Sequence, residues 1–172
     1  MSRNSFFLVA GHAESKGLMV VTLRPEMPSD EQFLRRLILH TIADELGAWE
    51  WPEPMRSNLL ELQYAGRRKL TRQDSPRLLS YVIQADRASA GWAVSHTMPH
   101  EVRLVEIMVV PELRGKGIGS SAVAQIRESA RKAGKPLRLN VNVTNLAAIQ
   151  LYERLGFERI DANEIQLTMQ SA

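Results

Sequence analysis

The chain has no cysteine, which removes disulfides, thiolate metal sites and a covalent cysteine intermediate from consideration. Histidine is also scarce. His12, His40, His96 and His100 are scattered without metal-ligand spacing, so no metal is expected. No apolar run approaches the ~18 residues that a membrane span requires. Phe6-Phe7-Leu8-Val9-Ala10 is too short and too weakly flanked for a signal peptide, so the expectation is a cytoplasmic protein without a membrane partner. Charge of one sign is not concentrated: 22 Lys and Arg stand against 19 Asp and Glu. That surplus does not imply a nucleic-acid partner. What remains is a 172-residue chain, 44% hydrophobic, suited to one domain with a sizeable core.

Residues 1–17 mix Ser, Gly and charge without a sustained period and read as an N-terminal extension of partly disordered composition. Residues 18–172 read as a single domain. Leu18 to Leu23 is rich in β-formers and stops before Pro25. Ser29 and Gln32 fit a capping box for a helix carrying Phe33, Leu34, Leu37, Ile38 and Ile42, which Gly47 ends. A second helix follows Trp49-Glu50-Trp51-Pro52-Glu53-Pro54, with Met55, Leu59, Leu62 and Gly66 at helical spacing and Arg67-Arg68-Lys69 as a solvated basic end. Leu79–Gln84, Gly91–His96 and Val102–Val110 are three successive strands, which favours an antiparallel meander.

Val110 leads through Pro111-Glu112-Leu113 into Arg114-Gly115-Lys116-Gly117-Ile118-Gly119, and then into a helix with Ala122, Val123, Ile126, Ala130 and Ala133 on one face. A strand, a glycine loop and a helix start make an anion site, because free N–H groups and the helix dipole favour a phosphate. Two nucleotide readings fail on spacing. A dinucleotide fingerprint wants an acidic residue about 20 positions on, where Asn140, Val141 and Asn142 stand. A nucleotide-triphosphate loop wants glycine at Val110 and Ser or Thr at Gly117. A plain Gly-rich turn stays open on the loop alone. Beyond it, Leu137 to Val143 alternates as a strand, Leu146–Leu155 forms a helix capped by Thr144 or Asn145, and Phe157–Asp161 and Ile165–Met169 close the chain as strands.

Arg114-x-x-Gly117-x-Gly119 after a strand, followed by Asn145-x-x-Ala148-x-x-Leu151-Tyr152-Glu153-Arg154-Leu155-Gly156-Phe157, resembles the GNAT superfamily of N-acetyltransferases over roughly Val102 to Ile160. The resemblance implies an α/β fold of the α+β type: a mixed, bent central sheet of about seven strands flanked by about four helices, its fourth and fifth strands splayed around acetyl-CoA. It implies that backbone groups of Met108, Val109 and Val110 bond the pantetheine arm, and that N–H groups of Lys116, Gly117, Ile118, Gly119 and Ser120 hold the pyrophosphate, with Arg114 and Gly115 completing the loop. Asn145 matches the asparagine that reaches the pantetheine, and Ala148 falls against the same cofactor. Asn145 also reads as a helix cap. Tyr152 matches the tyrosine that protonates the departing sulfur, its alternative being a core aromatic.

An amine acceptor must be neutral to attack, so a base is required. Glu106 is the candidate, because it interrupts the apolar stretch from Leu104 to Val110. Strict alternation puts it on one face with Leu104, Met108 and Val110. Its competing role is a structural ion pair, for example with Arg138. Without cysteine, direct attack in a ternary complex is the expected route. Trp49, Glu50, Trp51 and Glu53 border the acceptor region by the same resemblance. A non-catalytic CoA-binding module and a protein N-terminal or lysine acetyltransferase are the other readings, and the terminal strands offer an edge for a homodimer.

Overall fold

Four strands form an antiparallel meander: β1 (Val21–Pro25), β2 (Leu78–Ala85), β3 (Ala88–Thr97) and β4 (Val102–Val109). The computed structural model describes residues 19–71 and 77–171, so the N-terminal extension lies outside the described residues. Helices α1 (Glu31–Leu46) and α2 (Met55–Thr71) stand between β1 and β2 in the chain. After β4 come α3 (Ile118–Lys132), β5 (Leu137–Asn142), α4 (Leu146–Arg154), β6 (Glu158–Ala162) and β7 (Gln166–Ser171). In space the strands run β1-β2-β3-β4-β5-β7-β6, and β4 with β5 is the parallel pair in a mixed sheet. The expected seven strands and four helices are all present.

Two cores result, one on each face of the sheet. On one side Ile118, Val123 and Ile126 of α3 pack with Leu104, Leu137 and Leu139. On the other, Leu34, Ile38 and Ile42 of α1 pack with Val82, Trp92 and Met108. Each fully buried large apolar side chain stabilises by roughly 1.5–3 kcal/mol, so these contacts fix the sheet against which the site is built.

The alternation expected around Glu106 is broken. Leu104 pairs with Ser95 and Glu106 with Val94, which leaves Val105 as the extra residue of a β-bulge. Leu104 therefore packs on the α3 side while Met108 packs on the α1 side. Glu106 shares a face with Met108 and Val110, and not with Leu104.

Gly47 ends α1 as expected, but two other helix ends read from local sequence differ. Asp30, rather than Ser29, organises the start of α1: its carboxylate accepts from the Met27 N–H at 2.8 Å and from both terminal nitrogens of Arg24 at 2.6 and 2.7 Å. Of the basic triplet only Lys69 is exposed. Arg68 is only 3% exposed, pairs with Glu26 at 2.6 Å and Glu31 at 3.1 Å, and lies over the Trp92 ring. Removing one partner from a buried arrangement of this kind costs ~3–5 kcal/mol. It pins the C-terminal half of α2 to the sheet, and the stripe read from sequence points outward, with Met55 and Leu62 exposed.

Candidate active site

The passage from β4 to α3 is a row of unused backbone donors. The N–H of Val110 bonds Ala90, that of Leu113 bonds Val110, and that of Arg114 bonds Pro111; the next paired donor is Ser121, bonded to Gly117 at 2.9 Å. From Gly115 to Ser120 no N–H finds an acceptor among the described residues. Gly115 and Gly117 make this possible with φ of +75° and +80°, a conformation that costs other residues roughly 1–2 kcal/mol. The row borders a hollow of about 500 Å³, faced from α4 by Ala148 and Leu151. Consecutive free N–H groups at a helix start form a site for a phosphate-like anion.

Arg114 is otherwise engaged. Its Nε donates to the Val109 carbonyl and its Nη1 to Asp44 of α1, each at 3.1 Å. The Trp49 indole, and with it Arg114, holds the Asp44 carboxyl below the usual carboxylate range against the opposing effect of burial. Lys116 is exposed.

Beyond this loop lies the opening between β4 and β5. The two strands pair over only three positions, Val102, Arg103 and Leu104 against Leu137, Arg138 and Leu139. They part at the bulge, a feature that bends a strand and increases its local twist. The resulting cleft, about 680 Å³, is lined by Glu106 and Ile107 of β4, Asn140 and Asn142 of β5, and Asn145 and Tyr152 near α4.

Backbone direction decides which β4 residues address the cleft. Val110 sends its N–H to Ala90 of β3, so by alternation Met108 also turns its peptide groups toward β3. There its carbonyl oxygen leaves no space for a side chain: a Cβ on Gly91 would lie 2.3 Å away. Met108 is buried in the α1-side core, and Val110 borders a separate hollow with Phe33 and His40. Ile107 and Val109 have the cleft-facing groups. Sequence reasoning named Val109 but missed Ile107, because it had no register.

Tyr152 is 7% exposed, packs on Phe157 at 5.6 Å between ring centroids, and lines the cleft. Its hydroxyl has no hydrogen-bond partner among the described residues, and burial pushes its pKa up to about 12. It stays protonated at neutral pH and so keeps a proton to give. Asn145 caps α4, its Oδ1 accepting from the Ala148 N–H at 3.1 Å. That bond leaves the Asn145 amide nitrogen free to donate into the cleft.

Glu106 lies on the opposite wall. Burial pushes its carboxyl above the usual range; Arg67 pulls it back and Glu45 pushes it further up. Arg67 Nε lies 3.4 Å from the carboxylate, while Arg67 Nη2 donates to Glu45 at 3.0 Å. Arg138 is not the partner of Glu106, since Glu101 at 2.8 Å and Gln170 at 2.6 Å occupy it. Glu45 was not singled out in the sequence, and Arg67 was read only as part of a solvated basic helix end. Trp49, Glu50, Trp51 and Glu53 do not line the cleft. Trp49 donates to Asp44 at 2.9 Å, and Glu53 accepts from Arg56 Nε at 2.9 Å and the Ser57 N–H at 3.2 Å, holding the first turn of α2. Among the described residues no cluster of three or more His, Asp or Glu could hold a metal, and no helix is long and apolar enough to cross a membrane.

A row of free N–H donors leads into a cleft with a buried tyrosine hydroxyl on one wall and a carboxylate on the other, an arrangement suited to group transfer from an extended anionic donor. Residues 34–157 match the acetyltransferase (GNAT) family. The aminoalkylphosphonate N-acetyltransferase of Salmonella typhimurium is 27% identical over 81% of this chain and 86% of that protein. The ribosomal protein bS18-alanine N-acetyltransferase of Escherichia coli is 32% identical, over 47% of this chain and 55% of its own length. An uncharacterized N-acetyltransferase of Methanocaldococcus jannaschii is 46% identical over 31% of this chain, a match spanning 24% of that protein. Among solved structures, the PaiA N-acetyltransferase of Thermoplasma acidophilum in complex with coenzyme A superposes with a TM-score of 0.71 at 18% identity, covering 89% of this chain and 99% of that one. The chain belongs to the GNAT family of acetyltransferases, acyltransferases that use acetyl-CoA.

Proposed function

We propose that the protein transfers the acetyl group of acetyl-CoA to a primary amine by direct attack in a ternary complex. The observation that carries this reading is the unpaired row of N–H groups from Gly115 to Ser120, next to a cleft lined by both Glu106 and Tyr152. The row takes the pyrophosphate, each hydrogen bond to a charged group contributing about 1.5–3 kcal/mol. The pantetheine arm runs along Ile107 and Val109 as an added strand, with the Asn145 amide and Ala148 on its other side. Glu106 takes the amine proton, directly or through water, as the nitrogen bonds to the acetyl carbon. A β4 backbone N–H, that of Val109, polarises the carbonyl. The carbon–sulfur bond then breaks, Tyr152 protonates the departing thiolate, and the proton that Glu106 took from the amine passes through water to the tyrosinate, which resets both residues.

Two acceptor classes are in view. Similarity to the aminoalkylphosphonate enzyme over most of the chain favours a small amine. The open groove that reaches Glu106 beside α2, lined by Gln63, Gly66, Lys69 and Leu70, favours a peptide amine. A non-catalytic CoA-binding module would need neither Glu106 nor Tyr152. We place the activity in the cytoplasm, without metal, membrane or nucleic acid. The test is calorimetry with acetyl-CoA, followed by a mass-spectrometric screen for acetylated product over aminoalkylphosphonates, other small amines and alanine-terminated peptides. Product that appears with the natural chain and collapses in Tyr152→Phe supports the reading. Absence of acetyl-CoA binding sinks it.

A further inference from the structure

Arg67 spans two carboxylates on different elements and is satisfied by neither arrangement in full. Its Nη2 donates to Glu45 of α1 at 3.0 Å, its Nε approaches Glu106 of β4 at 3.4 Å without a hydrogen bond, and its Nη1 is buried with no partner. A buried, unpaired guanidinium nitrogen costs stability, so this geometry is a poor choice for holding the fold together. The neighbouring Arg68 already does that through Glu26 and Glu31. Arg67 borders both the cleft and the groove beside α2, and Glu106 is the other residue of that shared wall.

We propose that Arg67 is a positioning residue: pinned from behind by Glu45, its guanidinium holds the Glu106 carboxylate ionised, oriented and free of a direct hydrogen bond where the cleft meets the α2 groove. The inference rests on the reading of Glu106 as the base. A carboxylate that faces a cation without spending its lone pairs on it keeps them for the acceptor's proton. Glu45 keeps the guanidinium from closing onto Glu106, and its own negative charge opposes the ionisation that Arg67 favours. Among the described residues, the charged or titrating groups that face Glu106 are Arg67 and Lys69 from α2, Glu45 from α1 and Tyr152 from α4. From the sheet, Val94 opposite and Asn140 and Asn142 across the cleft do not titrate.

The test needs no acceptor. In the full chain carrying carboxyl-labelled glutamate, the Glu106 carbon resonance, assigned by its loss in Glu106→Gln, is followed against pH by NMR. Arg67→Gln moves its midpoint upward, Glu45→Gln moves it downward, and Arg67→Lys brings it back toward the natural value. An unchanged midpoint in Arg67→Gln overturns the proposal; if that variant does not fold, an unchanged midpoint in Glu45→Gln, or a shift of the wrong sign, does so. Calorimetry with CoA on the natural chain separates this from the function itself. Its failure would remove the acetyltransferase reading and leave the Arg67–Glu106 result standing.

Discussion

The proposed donor end and the proposed acceptor end of the cleft are built from different materials. At the proposed donor end the groups on offer are backbone N–H donors, exposed because Gly115 and Gly117 turn the chain and α3 begins there. At the acceptor end they are side chains from α1, α2, β4 and α4, brought together by tertiary packing. A backbone site needs only a local run of residues and tolerates changes in most side chains. A side-chain site depends on register and on which helix faces which strand.

Four substitutions and one pH profile break or sharpen that contrast. The largest effect is expected at Glu106→Gln, a loss of ~10³-fold in kcat/KM with CoA affinity intact; loss of CoA affinity as well would show that the two ends are not separable. The pH profile of the natural enzyme carries the same information. Because the Glu106 carboxyl is raised by burial, activity that needs it ionised is lost as pH falls through a midpoint above the usual glutamate range. Tyr152, at about 12, gives no basic limb near neutrality. Tyr152→Phe is expected to lower kcat by ~10² at unchanged CoA affinity, and full activity would assign the tyrosine to packing. Gly117→Ala, at φ +80°, strains the loop by roughly 1–3 kcal/mol and is expected to weaken CoA binding about tenfold, read by calorimetry. Lys116→Ala is the smallest: an exposed charge predicts a slight, salt-sensitive loss of CoA affinity. A large loss there would mean that side chains matter at the donor end too.

The same contrast explains how much of the molecule was legible in its sequence. The glycine loop, Asn145 and Tyr152 are local signals in fixed order, and the strands alternate with helices in a pattern whose turns announce themselves. Val105 gives no such sign. A bulge is decided by pairing with β3, so alternation alone put Leu104 on one face with Glu106, and the resemblance that named Met108, Val109 and Val110 could not tell that Ile107 and Val109 are the ones turned away from β3. Arg67-Arg68-Lys69 reads locally as a helix end in water. Only the carboxylates at Glu26, Glu31, Glu45 and Glu106, all distant in sequence, reveal that two of the three cations are committed to partners.

The bulge also makes β4 a strand with a phase. Upstream of Val105 even-numbered residues face α3; downstream they face α1 and α2. Insertions and deletions here are therefore not equivalent to substitutions. Deleting the single residue Val105 would keep Leu104 opposite Ser95 and Glu106 opposite Val94, each on its present face, so what it would remove is the extra residue at which β4 parts from β5.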